Sequence, residues 1–424
     1  MVENKARMSL FRRLGVLACL LCIATCALLP LRARASNMRP NALDHRVDAI
    51  SAVQLEAEPA SRLVDPERQI AAQRLSRWTL PGWIASIAFQ IIALAYFWQS
   101  GAAARLRDRF RRSAIGEMSV RFLFGASLAL IARLAALLPG FYLFRVGRVM
   151  QLNGTLLRSW SATWLLNTLV AMAIAGVVVT AVLWLVDRTH QWYVFTIAAI
   201  VAGSFAITAM AGTVTFHRAA LPYQIEKVAR SLENRAGIHV PIEVRRRSGR
   251  SHIGDAAVLG MASTTRVIMD DTLVAGATPA ELRFIVAREI GQVAAHDPIR
   301  SATINAALAI FGVALAVFIA DRIGFRRDDD PVARLALVAA LLGCMYFVVA
   351  PIDNAVLRSM SSAADRYAVA LTGEREGALR FVVRGADQEL DEICPNVVAD
   401  VFLETSLPVG ARVASLNGVP SGCP

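Results

Sequence analysis

The chain has 424 residues, of which 56% are hydrophobic and only 18% are charged, and its mean hydropathy is +0.48. That balance excludes disordered, collagen-like and disulfide-rich secreted classes and points to a membrane protein. The formal charge is +12, from 45 Lys and Arg against 33 Asp and Glu, with Lys5 and Lys227 the only lysines; the arginines flank apolar segments instead of gathering with aromatics on one soluble face, which argues against a nucleic-acid binder.

Residues 1–36 carry Lys5, Arg7, Arg12 and Arg13, an apolar run from Leu14 to Leu31, and Ala33-Arg34-Ala35 before Ser36. This is the pattern of a secretory signal or of a first transmembrane span. A polar extramembrane segment, 37–79, leads into four apolar runs within 80–215, roughly Leu80 to Trp98, Val120 to Phe144, Trp160 to Val186 and Tyr193 to Val214. Each is long enough to cross a hydrocarbon core of about 30 Å. A soluble stretch, 216–300, separates them from two further runs within 301–352, Ser301 to Ala320 and Ala333 to Ile352, and a polar tail, 353–424, follows. With the first segment, the reading is seven spans.

Within the soluble stretch, periodicity predicts helices over Tyr223 to Ala236 and Pro279 to Ala295, and short strands over Ile242 to Arg246 and Arg266 to Met269. Arg105, Arg107, Arg109, Arg111 and Arg112 follow the second span, and Arg322, Arg326 and Arg327 follow the sixth. The opposite short loop carries only Arg145, Arg148 and Arg158. The positive-inside rule therefore places the soluble stretch and tail outside the cytoplasm. Cys19, Cys22, Cys26 and Cys344 lie in apolar runs and read as small packing residues. A bridge between Cys394 and Cys423 is left open, since no spacing pattern calls for one.

The second soluble helix contains Ala287-Arg288-Glu289-Ile290-Gly291-Gln292-Val293. Around it stand Arg250, Asp255-Ala256-Ala257, Gly260, Arg266-Val267-Ile268-Met269 and Asp271-Thr272-Leu273, with Gly154 to Trp160 upstream. Downstream come Pro351, Asn354, Arg358, Ala364-Asp365, Leu371-Thr372-Gly373, Pro408 and Arg412. In order and spacing these blocks resemble the type I CAAX prenyl endopeptidase family, integral-membrane zinc metallopeptidases of the H-E-x-x-H type. The resemblance implies a mostly α fold, a seven-span helical membrane protein with a small α+β metallopeptidase-like domain. That domain would be formed by the stretch between spans five and six plus the C-terminal tail. It also implies a cytoplasmic zinc domain in eukaryotic members, against the charge-based orientation.

In such a motif two histidines at i and i+4 supply zinc ligands from one helix face, and the Glu between them acts as general base on the metal-bound water. Here Arg288 and Gln292 stand at the histidine positions, Ser361 stands at the third-ligand position four before Asp365, and only Glu289 survives. A guanidinium offers no lone pair to a metal, and a neutral amide or hydroxyl is a poor zinc donor. Structural zinc peptides gain about 10–16 kcal/mol from full ligand sets, so losing three donors removes most of the affinity. No metal or other cofactor is predicted, although zinc serves the family. Asp255, His296, Asp297 and Asp365 are the remaining cleft candidates, and the family's Asn-Ala-Tyr and His-Pro elements are Asp255-Ala256-Ala257 and Leu407-Pro408 here.

The expectation is a pseudopeptidase in a bacterial inner membrane, where Glu289 keeps the base position without the chemistry. Arg288 would replace the metal's charge and pair with Glu289, Asp297 or Asp365. Partners would be membrane lipid and a peptide, a lipopeptide or another membrane peptidase. The alternatives are an active metalloendopeptidase with a metal site rebuilt from His252, His296, Asp297 and Glu289, and, more weakly, a transporter or channel, for which Arg133 is the main intramembrane charge.

Overall fold

A computed structural model describes residues 46–113, 116–248, 253–324 and 331–423. The first apolar segment, Arg250, His252, Arg326 and Arg327 lie outside the described residues. Ser51 caps α1 (Ala52–Ala57) through a reciprocal box with Gln54, and α2 (Ala60–Leu63) follows. Asp65 accepts from the Glu67 N–H at 2.9 Å and Pro66 occupies the first turn, so α3 (Pro66–Gln99) starts far upstream of Leu80. Its first turns are polar because they lie against the soluble domain: the Gln69 amide donates to the Asp391 carbonyl at 2.8 Å and accepts from the Ile393 N–H at 3.0 Å.

The arginine-rich loop forms α4 (Ala102–Arg112). The run from Val120 to Phe144 is not one helix: α5 (Glu117–Ala135) stops and α6 (Leu137–Val149) begins after Ala136. Pro139 explains the break, since it has no N–H to donate to the Ala135 carbonyl. Next come α7 (Leu157–Arg188) and α8 (Trp192–Ala211), which present Ile174, Val177 and Ile207 outward.

The soluble stretch supplies β1 (Arg218–Ala219), α9 (Tyr223–Ala236), β2 (Ile242–Arg245), β3 (Ala256–Leu259), β4 (Arg266–Asp270), α10 (Asp271–Gly276) and α11 (Pro279–Ala294). The sheet order is β1-β2-β4-β3, with β2 parallel to β4 and the other pairs antiparallel. The end of α8 presses on this sheet: a Cβ on Gly212 would sit 2.2 Å from the Thr264 carbonyl oxygen and 2.6 Å from Gly260 Cα. Gly260 itself has φ +83°, so both positions need glycine.

The chain returns through α12 (Asp297–Gly324) and α13 (Pro331–Thr372). Helix α13 does not end at Ile352, the sequence-based boundary; it continues out of the apolar stretch and stops only before Gly373, φ +74°. The tail forms α14 (Arg375–Glu389), α15 (Val397–Phe402) and α16 (Val409–Asn417), and a disulfide joins Cys394 to Cys423. Six described helices, α3, α5, α7, α8, α12 and α13, are long and apolar enough to cross a membrane.

One core unites the soluble stretch, the tail and the N-terminal segment. Val47, Leu55 and Leu63 pack with Ile225, Met269, Phe284, Ile285, Leu379 and Val413, all essentially out of solvent. Each such side chain contributes about 1.5–3 kcal/mol. Charges rivet the same joint: Arg384 binds Glu281 at 2.8 Å and Asp48 at 2.6 Å, and the Asp65 N–H donates to Asp387 at 3.0 Å. The segment at 46–65 thus shares one core with the sheet, α11 and the tail.

Candidate functional site

Thr278 and Glu281 form a capping box and Pro279 opens the first turn, which fixes where α11 begins and hence which face it turns inward. At Gly291 the helix crosses α13 so closely that a Cβ would meet Tyr367 at 2.7 Å. This contact brings Arg288, Glu289 and Gln292 against Ser361 and Asp365, which lie one turn apart on α13.

Arg288 uses every nitrogen of its guanidinium. Nε donates to Asp365 at 3.0 Å, one terminal nitrogen to Glu289 at 2.7 Å and the other to the Ser361 hydroxyl at 3.0 Å. From α16, Arg412 grips the far side of Asp365 with two bonds of 2.7 and 3.0 Å while stacking over Phe381 at 5.4 Å. Two guanidiniums and two carboxylates therefore form a charge-balanced cluster. The Gln292 amide turns toward the same Glu289 oxygen at 3.4 Å.

Burial works against the charge of Arg288, yet Glu289 and Asp365 hold its pKa above the ordinary range. The Glu289 side chain is 0% exposed. Burial pushes its carboxyl up to about 7, with Arg288 pulling the other way. Its second oxygen, Oε2, has no hydrogen-bond partner among the described residues. Burial and the neighbouring Asp270 also raise Asp255.

The donor set does not fit a zinc ion. Arg288 and Gln292 point N–H groups inward, and the Ser361 oxygen accepts from Arg288. Glu289 Oε2 is the one carboxylate oxygen of this cluster left without a hydrogen-bond partner among the described residues, and the Gln292 amide and Ser361 hydroxyl oxygens are poor neutral donors, where a structural or catalytic zinc needs three or four good ones. Among the described residues, no group of three or more His, Cys, Asp or Glu is arranged to hold a metal ion.

The cluster stands between two cavities. One, about 520 Å³, is lined by Thr208 of α8, Val258 of β3, Gln292, Asp297, Met360 and Ser361, with Arg288 on its wall. The other, about 250 Å³, runs between Asp255, Arg288, Arg412 and the segment after α14. Of the three carboxylates expected to pair with Arg288, Asp365 and Glu289 do so, whereas Asp297 pairs with Arg300 at 3.1 Å and lines the larger cavity. Asp255 lines the smaller cavity. His296 joins neither: it is exposed, adopts φ +54° in the turn after α11, and borders a separate cavity with His239. Helix α11 ends at Ala294, and Pro298 sits in the first turn of α12. Sequence reasoning placed Arg412 only as a motif match, and its hold on Asp365 emerges when α16 folds back over α13.

Residues 217–417 match Peptidase family M48. A curated relative, the "Uncharacterized metalloprotease YhfN" of Bacillus subtilis (strain 168), is 25% identical over 166 residues, covering 37% of this chain and 38% of that protein. The chain thus spans well under half the length of that relative. The crystal structure of S. mikatae Ste24p superposes with a TM-score of 0.68 at 17% identity, covering 95% of this chain and 98% of that one. That likeness shows the fold.

Proposed function

We propose that this integral membrane protein, which resembles the CAAX prenyl protease-like M48 peptidases in motif order, family match and fold, is a pseudopeptidase. Its chamber binds a polypeptide or lipopeptide segment and serves to hold, present or regulate it, alone or beside an active membrane peptidase. The observation that carries this reading is the Arg288 guanidinium, bonded to Asp365, Glu289 and Ser361 where the family places a metal. Glu289 has a pKa suited to proton transfer. A lone general base, however, supplies about 10²- to 10⁴-fold, far short of peptide hydrolysis. The cavity of about 520 Å³ between α8, β3, α12 and α13, mixed in polarity, supports a binding role.

We place the protein in a bacterial inner membrane with the soluble domain outside. Two features support that side: the arginine-rich α4 belongs to the opposite face, and the bridge from Cys394 to Cys423 suits an oxidising compartment.

Bound zinc per chain tests the loss of hydrolytic chemistry. Detergent-purified wild type, equilibrated with zinc and washed, should retain none, while Arg288→His/Gln292→His/Ser361→Glu should retain about one. Stoichiometric zinc in wild type, lowered by Glu289→Gln, would overturn the reading in favour of a metallopeptidase with a rebuilt site.

A further inference from the structure

The smaller cavity has an unequal charge inventory. Its cations are committed: Arg288 and Arg412 to Asp365, Arg384 to Glu281 and Asp48. On one side, Glu389, Asp391, Glu392 and Glu404 line it, and the partly buried Glu389 at the end of α14 has no side-chain hydrogen bond or ion pair among the described residues. Burial pushes Glu389, Asp391 and Glu404 above the usual carboxylate range, and Asp391 adds to the shift of Glu389.

This wall is held in place by groups that leave its side chains free. Gln69 clamps the backbone of Asp391 and Ile393, and Arg358 donates to the carbonyls of Asp400 and Glu404 at 2.6 and 3.0 Å. The disulfide ties Cys394 to Cys423, which lies against Gly410 of α16. Carboxyls crowded together with no directly bonded cation are held toward the protonated form, and an entering cation relieves that by favouring their charged form. The described carboxylates are not arranged to grip a metal ion, so the complement is a single-point organic cation. The cavity adjoins the chamber: Arg288, Thr405 and Ser406 line both, and the chain passes from Asp255, just before β3, at one to Leu259, the end of β3, at the other.

We infer that the smaller cavity is a subsite for a basic side chain, lysine or arginine, of a polypeptide lying along β3, with Glu389, Asp391 and Glu404 as its recognition wall. This rests on the polypeptide-binding reading above and gives it a chemical class of ligand.

The test uses two fluorescein-labelled, N-acetylated decapeptide pools, degenerate in apolar and hydroxyl residues, with either lysine or norleucine fixed at the centre. Anisotropy is read on the full chain in detergent. Wild type should bind the lysine pool about tenfold more tightly. The preference should vanish in Glu389→Gln/Asp391→Asn and fall about threefold in Glu404→Gln, while binding of the norleucine pool persists. Melting curves establish that both variants fold, and the single variant decides if the double one does not. Equal binding of both pools by wild type, or a preference that survives the substitutions, overturns the subsite and leaves the polypeptide reading standing. If neither pool binds, the polypeptide reading itself fails; heat of binding in a calorimetric titration with N-acetyl-lysine methylamide would then mark a pocket for small amines and overturn the ligand class inferred here.

Discussion

Arg288→Met removes three hydrogen bonds at once, to Asp365, Glu289 and Ser361. Breaking a buried ion pair by deleting one partner costs about 3–5 kcal/mol. Two features place this site at the lower end. Asp365 keeps both bonds from Arg412, 2.7 and 3.0 Å, and Glu289, already raised to about 7, can take up a proton instead of standing as a bare anion. The expected loss is about 3 kcal/mol, or roughly 6–12 °C at about 2–4 °C per kcal/mol for a folded unit of this size. Scanning fluorimetry of detergent-purified protein at one fixed scan rate measures it, since membrane proteins commonly unfold irreversibly. Arg288→Lys keeps the charge but not the fork and should fall between. Arg288→His should lose about as much as Met at pH 8 and take up no zinc. If Met melts within about 2 °C of wild type, Arg288 is not the electrostatic keystone of the site and the argument for its replacing a metal collapses.

Three other outcomes follow from the same structure. Because the folded-state pKa of Glu289 lies near 7, above its ordinary value of 4.5, the folded protein holds a proton that the unfolded chain has lost between those values. The carboxyl therefore costs stability as pH rises through that window, and Glu289→Gln should gain relative to wild type at pH 8 but not at pH 4; an equal effect at both would contradict the burial argument. Cys394→Ser/Cys423→Ser opens a loop of 29 residues and should lower stability by about 3–4 kcal/mol on the chain-entropy estimate, while thiol labelling of unfolded wild type without reductant should spare these two positions. Gly291→Ala forces a methyl group onto the base of the Tyr367 ring and should cost about 1–3 kcal/mol, with thermal melting again the readout.

Much of the soluble domain was legible because its signals are local. The helix over Tyr223–Ala236 ends at Gly237, φ +67°, and α11 begins at a capping box with proline in its first turn. Where packing decides, reading fails. Nothing in the apolar run to Ile352 marks that α13 continues to Thr372, since its outer half is held by α11 and the tail instead of by lipid. Likewise Val120 to Phe144 reads as one span until Pro139 is allowed to break it. At the site, Arg288 facing Ser361 and Asp365 was anticipated from motif order, but Arg412 and the acidic wall were not. Their positions depend on α14 and α16 folding back across more than 40 residues.

A metal must be acquired, and any acquired ion divides a population into loaded and empty copies. The guanidinium of Arg288 arrives with translation, never dissociates, and stays charged across the biological pH range. On the proposed reading every folded copy therefore has the same chamber floor, whatever the zinc supply of its surroundings, and a chelator should change nothing at Arg288, Glu289, Gln292 and Ser361.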